Sequence, residues 1–416
     1  MDRRNFLRSG LATAGLGAAA LAGCTTGESA GTDEPTTAGA DTNVVPRYVA
    51  FAGDHQAGIT NHPPAAGLAA AFSVVDTDRE SLADTLQDLS AEIRRLMDGE
   101  PFEQRDPVFP PVHTGTLGDA PPPTDLTVVL SVGASLFDER FGLADRRPRE
   151  LVRMPFMAND RLDPALSHGD LLVNIGGDTP DVTIFALRQL MRRTRGSLVL
   201  QWMVEGFNRR DQPKPGEAGV RNLMGFKDGT ANLDATEDDQ MVEHVWVRGR
   251  DGEPEWAVGG SYEAVRIIRM LVERWDRVSL REQEQIIGRH KESGAPLGAS
   301  LETDPVDFSA DPDGDITPLD AHIRLANPRT PGADENLILR RGFSYSRGFD
   351  GAGQLDQGLC FVSYQRSLEK GFIAVQERLD GEPLEEYILP VGGGFFFALP
   401  GVTTPDGWLG QTLLAP

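Results

Sequence analysis

The apolar run Ala70-Ala71-Phe72-Ser73-Val74-Val75 is followed at once by Leu82, Leu86, Leu89, Ile93 and Leu96, five apolar residues at helical spacing. A buried strand that feeds directly into an amphipathic helix confines the chain to folds in which helices cover a sheet. All-helical and all-strand architectures are thereby excluded. The spacing predicts a helix over 81–97, with Ser81 and Asp84 as an N-terminal capping box. Strands are expected at 126–132, 171–175 and 197–203. A second helix is expected over 181–193, with Pro180 in its first turn, where a missing N–H leaves no bond unmade.

The same order returns after residue 206. Strands are expected at 244–247 and 262–270, then a helix starting at Ser279 with Glu282 as its capping partner. Strands at 360–364 and 395–399 flank a helix over 368–379. Each half therefore reads as a β-α-β-β-α-β unit, an antiparallel sheet with helices on one face, although the halves share no sequence repeat. Residues 209–219, rich in Pro, Gly and charge, read as a linker or surface loop, and 300–317, with six Asp or Glu residues, as another long loop.

The first residues read as an address. Arg3-Arg4-Asn5-Phe6-Leu7 is a twin-arginine pattern, residues 11–22 are apolar, and Leu21-Ala22-Gly23-Cys24 is a lipoprotein cleavage box with Cys24 as acceptor. Residues 25–44 hold almost no large apolar side chains and are expected to form a flexible tether. After the first 25 positions no run of about 18 uncharged apolar residues occurs, which excludes a polytopic helical membrane protein. Two cysteines exclude a disulfide scaffold and a multi-cysteine metal site. A net charge of −23, from 40 basic and 63 acidic residues, argues against nucleic acid as a partner.

Four segments carry candidate chemistry. In Asn222–Asn232, Asp228-Gly229 is a turn signal and Gly225 permits close backbone approach, so the carboxylate is held on a tight turn; a plain hairpin turn has the same signature. The seven histidines are scattered, which leaves no zinc-type spacing. A lone histidine such as His322 is compatible with a hydrogen-bonded core residue, or with the single protein ligand of an iron whose other ligands come from a porphyrin. Arg324 and Arg329 nearby suit the propionates of such a group, or plain surface. Arg340 and Arg341 follow an apolar triplet and must point opposite ways if the segment is extended. Leu359 and Phe361 share one strand face and suit either an apolar wall over a flat cofactor or ordinary core.

Taken together and in order, these segments resemble the dye-decolorising haem peroxidase family. The run Asn222–Asn232 is similar to its Gly-x-x-Asp-Gly signature, and His322–Arg329, Leu339–Tyr345, Phe361–Arg366, His55–Ile59 and Gly169–Leu172 match it too. With the twin-arginine pattern, the chain looks most like the exported peroxidase/deferrochelatase subgroup associated with bacterial iron uptake. The resemblance implies an α+β fold of two ferredoxin-like halves forming a dimeric α+β barrel-type architecture, with one haem b per chain in the second half. The expected organisation is a signal at 1–24, a linker at 25–44, an N-terminal ferredoxin-like domain at 45–208 and a haem-binding domain at 209–416.

Residue by residue, the resemblance makes His322 the proximal iron ligand, Asp228 the distal proton-moving group and Arg340, rather than Arg341, the distal arginine. Gly225, Gly229, Arg324, Arg329, Leu359 and Phe361 would line the cofactor. A carboxylate from the second half is expected on the other nitrogen of His322. The implied activity is reduction of hydrogen peroxide through a ferryl intermediate, with oxidation of phenolic, dye-type or porphyrin reductants. The implied partners are the peroxide, a small-molecule or dye reductant, and proteins of iron uptake. A competing reading is a haem-capturing, iron-releasing lipoprotein of iron uptake, which has no use for a distal acid and arginine. A third, an iron-free substrate-binding lipoprotein, leaves the four segments unexplained.

Overall fold

The computed structural model describes residues 48–103, 105–118, 124–209 and 220–415. The twin-arginine pattern, Cys24, the tether and nearly all of the loop at 209–219 lie outside the described residues. The first half runs β1 (Ala66–Val74), α1 (Arg79–Met97), β2 (Thr127–Gly133), β3 (Leu171–Gly177), α2 (Pro180–Arg193) and β4 (Leu198–Phe207). A short hairpin follows, β5 (Val220–Arg221) and β6 (Lys227–Asp228), and then α3 (Asp238–His244). The second half holds β7 (Ser261–Met270), α4 (Val272–Trp275), α5 (Leu280–Ile287), α6 (His322–Ala326), β8 (Leu339–Arg340), β9 (Phe343–Phe349), β10 (Leu355–Gln365), α7 (Ala374–Leu379) and β11 (Ile388–Ala398).

The strand order is β4-β1-β3-β2 in the first half and β11-β7-β10-β9 in the second, all antiparallel, with β8 on the same edge of β10 as β9. Both are the order of a β-α-β-β-α-β unit whose helices cover one face. Two seams join them: β11 pairs with β2 through Phe396–Ala398, and β4 meets β9 at Phe207 and Ser344. The sheet thereby closes into a barrel, α+β as expected.

Alternation along the strands sorts side chains into two compartments. Leu68, Ala70 and Phe72 of β1 face α1 and α2, against Leu82, Leu86 and Phe185. Ala69 and Ala71 face the barrel interior with Trp202, Val265, Val362 and Phe396. The interior also holds Glu263, which accepts hydrogen bonds from Ser131, Asn174 and Tyr364. Burial pushes its carboxyl up to about 7, although those three donors pull the other way. A raised folded-state pKa stabilises the fold fully below the unfolded value near 4.5, and that contribution is lost as pH rises through about 7. The ceiling is about 3 kcal/mol at 1.36 kcal/mol per pH unit. Glu263→Gln is therefore expected to hold its thermal midpoint between about pH 5 and 8 while the wild type loses stability; parallel curves would remove Glu263 as the cause.

Three local expectations differ from the structure. Helix α1 begins two residues earlier than 81, at Arg79, because the Asp78 carboxylate caps it by accepting the Ser81 N–H at 2.9 Å and the Ser81 hydroxyl at 2.7 Å. Ser81 is thus inside the helix, and the Ser81/Asp84 box does not form the cap. Residues 244–247 are no strand: His244 ends α3, and Val245 continues as its C-cap. The helix at 368–379 opens with a π-helical turn, Glu369–Ile373, before α7. Ser279 caps α5 as expected, accepting the Glu282 N–H. The motif His55–Ile59 serves the fold: Gln56 bonds the backbone of Leu130 on both sides and the carbonyl of Leu399, bridging both halves. Among the described residues no helix is long and apolar enough to cross a membrane.

Candidate haem site

The hairpin β5–β6 presents Asp228 at its end, and local bonds explain why it is rigid. Asn222 folds the turn by accepting the N–H groups of Met224 (3.0 Å) and Phe226 (3.3 Å). Gly225, at φ +86°, lies at the turn, and a Cβ there would meet Lys291 at 2.7 Å. Gly225 therefore serves the turn and leaves room for Lys291. Gly229, at φ +93°, has open space where its Cβ would be. From behind, Glu302 accepts from Lys227 (2.7 Å) and Thr230 (2.6 Å). The acidic stretch 300–317 is thus a buttress, a role its composition did not reveal.

Arg340 ends β8 and donates through Nη1 to Asp228 Oδ1 at 2.9 Å and through Nη2 to the Thr230 carbonyl at 3.1 Å. Its backbone is clamped by Asn232, whose side chain accepts the Arg340 N–H (2.9 Å) and donates to its carbonyl (3.0 Å). The pair is about one third exposed on each side, so it can be reached from solvent. Arg341 turns to the opposite face, as extended backbone requires.

His322 starts α6, and its Nδ1 lies 2.8 Å from Oε2 and 3.1 Å from Oε1 of Glu382, which is buried. The imidazole is 34% exposed. Burial opposes its protonation, but Glu382 outweighs this and holds its pKa above the usual histidine range. Arg340 and Asp228 also act on it electrostatically, which brings all three side chains within electrostatic range of one another. Arg378 fixes α6 by donating to the carbonyls of Leu325 (3.0 Å) and Ala326 (2.9 Å).

Helix α6 has no buried residue, and neither has α7. On β10, Leu359 and Phe361 are half-exposed while Cys360 and Val362 between and beside them are buried in the barrel. Leu359 packs toward Met224 and Phe226 of the hairpin, and Phe361 toward Phe372. These under-covered apolar side chains form the wall that a flat apolar group requires. Among the described residues no group of three or more His, Cys, Asp or Glu is arranged to hold a bare metal ion. A single imidazole with its Nδ1 engaged and its Nε2 unengaged suits an iron that brings its own macrocycle.

The expected propionate ligands divide. Arg324 is tied to its own loop: it donates to Asp311 Oδ2 (3.2 Å) and to the carbonyls of Thr317 and Asp311, over the Phe308 ring. These bonds hold the guanidinium to its loop and use part of its five N–H donors. Arg329 is exposed, with φ +56°. It lies near Arg289, which the sequence reading missed. Burial pushes the Arg289 pKa down, Glu302 opposes this, and Arg329 and Arg340 add to it. Arg289 is itself buried and donates through Nη1 to the carbonyls of Gly294 (2.8 Å) and Glu302 (3.1 Å). Gly288 is the C-cap of α5 and Arg289 follows it, a position that carries no chemical signature in sequence.

A family profile described as "Dyp-type peroxidase, C-terminal" matches residues 219–403, and one described as "Dyp-type peroxidase, N-terminal" matches 56–208. The chain belongs to the Dyp-type peroxidase family. The site lies within the part matched by the C-terminal profile of this peroxidase family. A relative from Escherichia coli (strain K12), named deferrochelatase, is 48% identical over 367 residues, 88% of this chain and 86% of the relative. Among solved structures, ferric DtpA from Streptomyces lividans is 37% identical with a TM-score of 0.79, covering 88% of this chain and 97% of that one. A DyP-type peroxidase from Cellulomonas bogoriensis is 34% identical with a TM-score of 0.79, covering 89% of this chain and 99% of that one. The Dyp-type peroxidase fold, α+β with a barrel-like sheet, is thus the fold of this chain.

Proposed function

We propose that this Dyp-type peroxidase binds one haem b through His322 Nε2 and uses Asp228 and Arg340 to reduce hydrogen peroxide while oxidising phenolic or dye-type reductants. What supports the reading is the 2.9 Å Asp228–Arg340 pair and the His322–Glu382 pair, with Asp228, Arg340 and His322 partly exposed and acting on one another electrostatically; we read them as two sides of one apolar-walled cleft. Bound haem supplies an iron centre for the peroxide and a macrocycle that takes up oxidising equivalents. His322 would hold the group through Nε2, and Glu382, by accepting the Nδ1–H, fixes the ring and makes it a stronger donor. Asp228 takes the proton from one peroxide oxygen and returns it to the other, a transfer of a few ångströms within a fixed geometry. Arg340 orients Asp228 and offers a permanent positive charge where negative charge develops on the departing oxygen. Gly229 leaves room beside Asp228, Leu359 and Phe361 keep the adjoining wall dry, and Arg324 and Arg329 would take the propionates. All of these residues come from 209–416, which supports that segment as the haem-binding half and 45–208 as its partner domain.

Glu382→Gln tests the partner of the proximal histidine. Loss of the carboxylate charge is expected to raise the reduction potential and speed haem transfer to a stronger acceptor by about 10–100-fold. An unchanged potential would leave Glu382 as a structural contact only.

The name of the Escherichia coli relative favours a second reading, release of iron from haem. The assay that separates the two gives purified holoprotein either peroxide with a phenolic dye or a reductant without peroxide. Peroxide-dependent dye oxidation supports the first reading. Metal-free porphyrin fluorescence without dye turnover would replace it with the second. We also infer export through the twin-arginine route and anchoring at Cys24, with peroxide, a small reductant and iron-uptake proteins as partners; Arg3-Arg4 and the Leu21–Cys24 box support this.

A further inference from the structure

Arg340 and Arg341 are chain neighbours, but only Arg340 meets a carboxylate. Arg341 shares the interior face of Leu339 and Phe343 and reaches a cavity at one end of the barrel. Gly58, Pro64, Thr127, Asn174, Phe343 and Tyr364 are among its walls, and Arg341 is the one charged side chain among the described residues that line it. No carboxylate among the described residues pairs with Arg341. Its Nη2 has the Gly58 carbonyl at 3.5 Å, the outer limit of a hydrogen bond. Glu263, the buried carboxyl of the interior, is taken up by Ser131, Asn174 and Tyr364. Burial pushes the Arg341 pKa down to about 10, the response of a cation that lacks a counter-charge. An unpaired charge in a low-dielectric pocket is costly, and an anion beside it removes that cost.

We propose that this end of the barrel is a binding site for a small monovalent anion, a halide or a short carboxylate such as formate, held by the Arg341 guanidinium. One cation balances one negative charge, so a divalent anion would be left half-paired. Apolar walls at Pro64, Val129, Phe343 and Val362 limit the occupant to a few heavy atoms. The site is separate from the cleft of Asp228, because Arg341 stands on the other face of the strand that carries Arg340.

The test titrates holoprotein with sodium formate and sodium chloride and follows the thermal midpoint together with the Soret band. The expected result is a saturable rise in midpoint with an unmoved Soret band, absent with sulfate at matched ionic strength. Arg341→Met is expected to weaken the apparent affinity at least tenfold. An equal response in Arg341→Met, no saturable response, or a response seen only with a Soret shift, which marks ligation at iron, would each overturn the proposal. Should Arg341→Met fail to fold, bromide-soaked crystals of the wild type decide: an anomalous peak at the guanidinium supports the site, and its absence overturns it.

Discussion

Asp228→Asn is expected to lower kcat/KM for hydrogen peroxide by about 10²–10⁴-fold, the range that a positioned proton-transfer group contributes. The carboxamide keeps the shape of the side chain and can still accept from Arg340, so the hairpin and the haem should remain in place. What it loses is the ability to take a proton from one oxygen and return it to the next. Stopped-flow mixing with peroxide, followed in the Soret region, reads this step directly. Arg340→Leu removes a fixed charge and also frees Asp228 from its 2.9 Å partner, so a loss of about 10²–10³-fold is expected. Because the two residues act as a pair, the double variant should fall well short of the product of the single effects. Turnover lost in Arg341→Leu but kept in Arg340→Leu would reverse the assignment of the pair.

The second large effect is expected at His322. His322→Ala should weaken haem retention by at least about 100-fold, since altering even an outer partner of a metal ligand costs 10–100-fold. Gel filtration of the variant should give protein without a Soret band, and added imidazole should restore the band by filling the space the side chain leaves. The Glu382 carboxylate would then stay buried without its partner, so some loss of stability is also expected. A variant that keeps its full complement of haem without imidazole would remove His322 as the ligand.

The elements with strong local signals were legible in the sequence. The periodic leucines of α1, Pro180 at the start of α2 and the capping Ser279 all specify their helices through contacts within a few residues. The site was legible for a related reason. Asp228, His322 and Arg340 each sit where a turn, a helix start or a strand end limits the side chain, and the resemblance supplied what brings them together. What escaped were residues whose partners lie far along the chain. Glu382 is one acid among several, and nothing local marks it as the partner of His322. Arg324 is a different case: its partners Asp311 and Thr317 are only 13 and 7 residues away, but they sit in a loop with no periodicity. Asn232 and Glu302 hold the arginine and the hairpin through bonds across about 70 to 110 residues. The start of α1 was misplaced because Asp78 and Ser81 are both good capping residues, and only the path of the chain before the helix chooses between them.

The closure of the barrel also has an order in time. Strand β2 is made early, yet one of its edges finds its neighbour only in β11, the last strand of the chain. A nascent chain leaving the ribosome carries that edge bare, available to other chains, until almost all of its length has been synthesised. The final segment thus works as a latch, and a transcript cut short before residue 388 would leave a protein with both an early and a late edge open to aggregation.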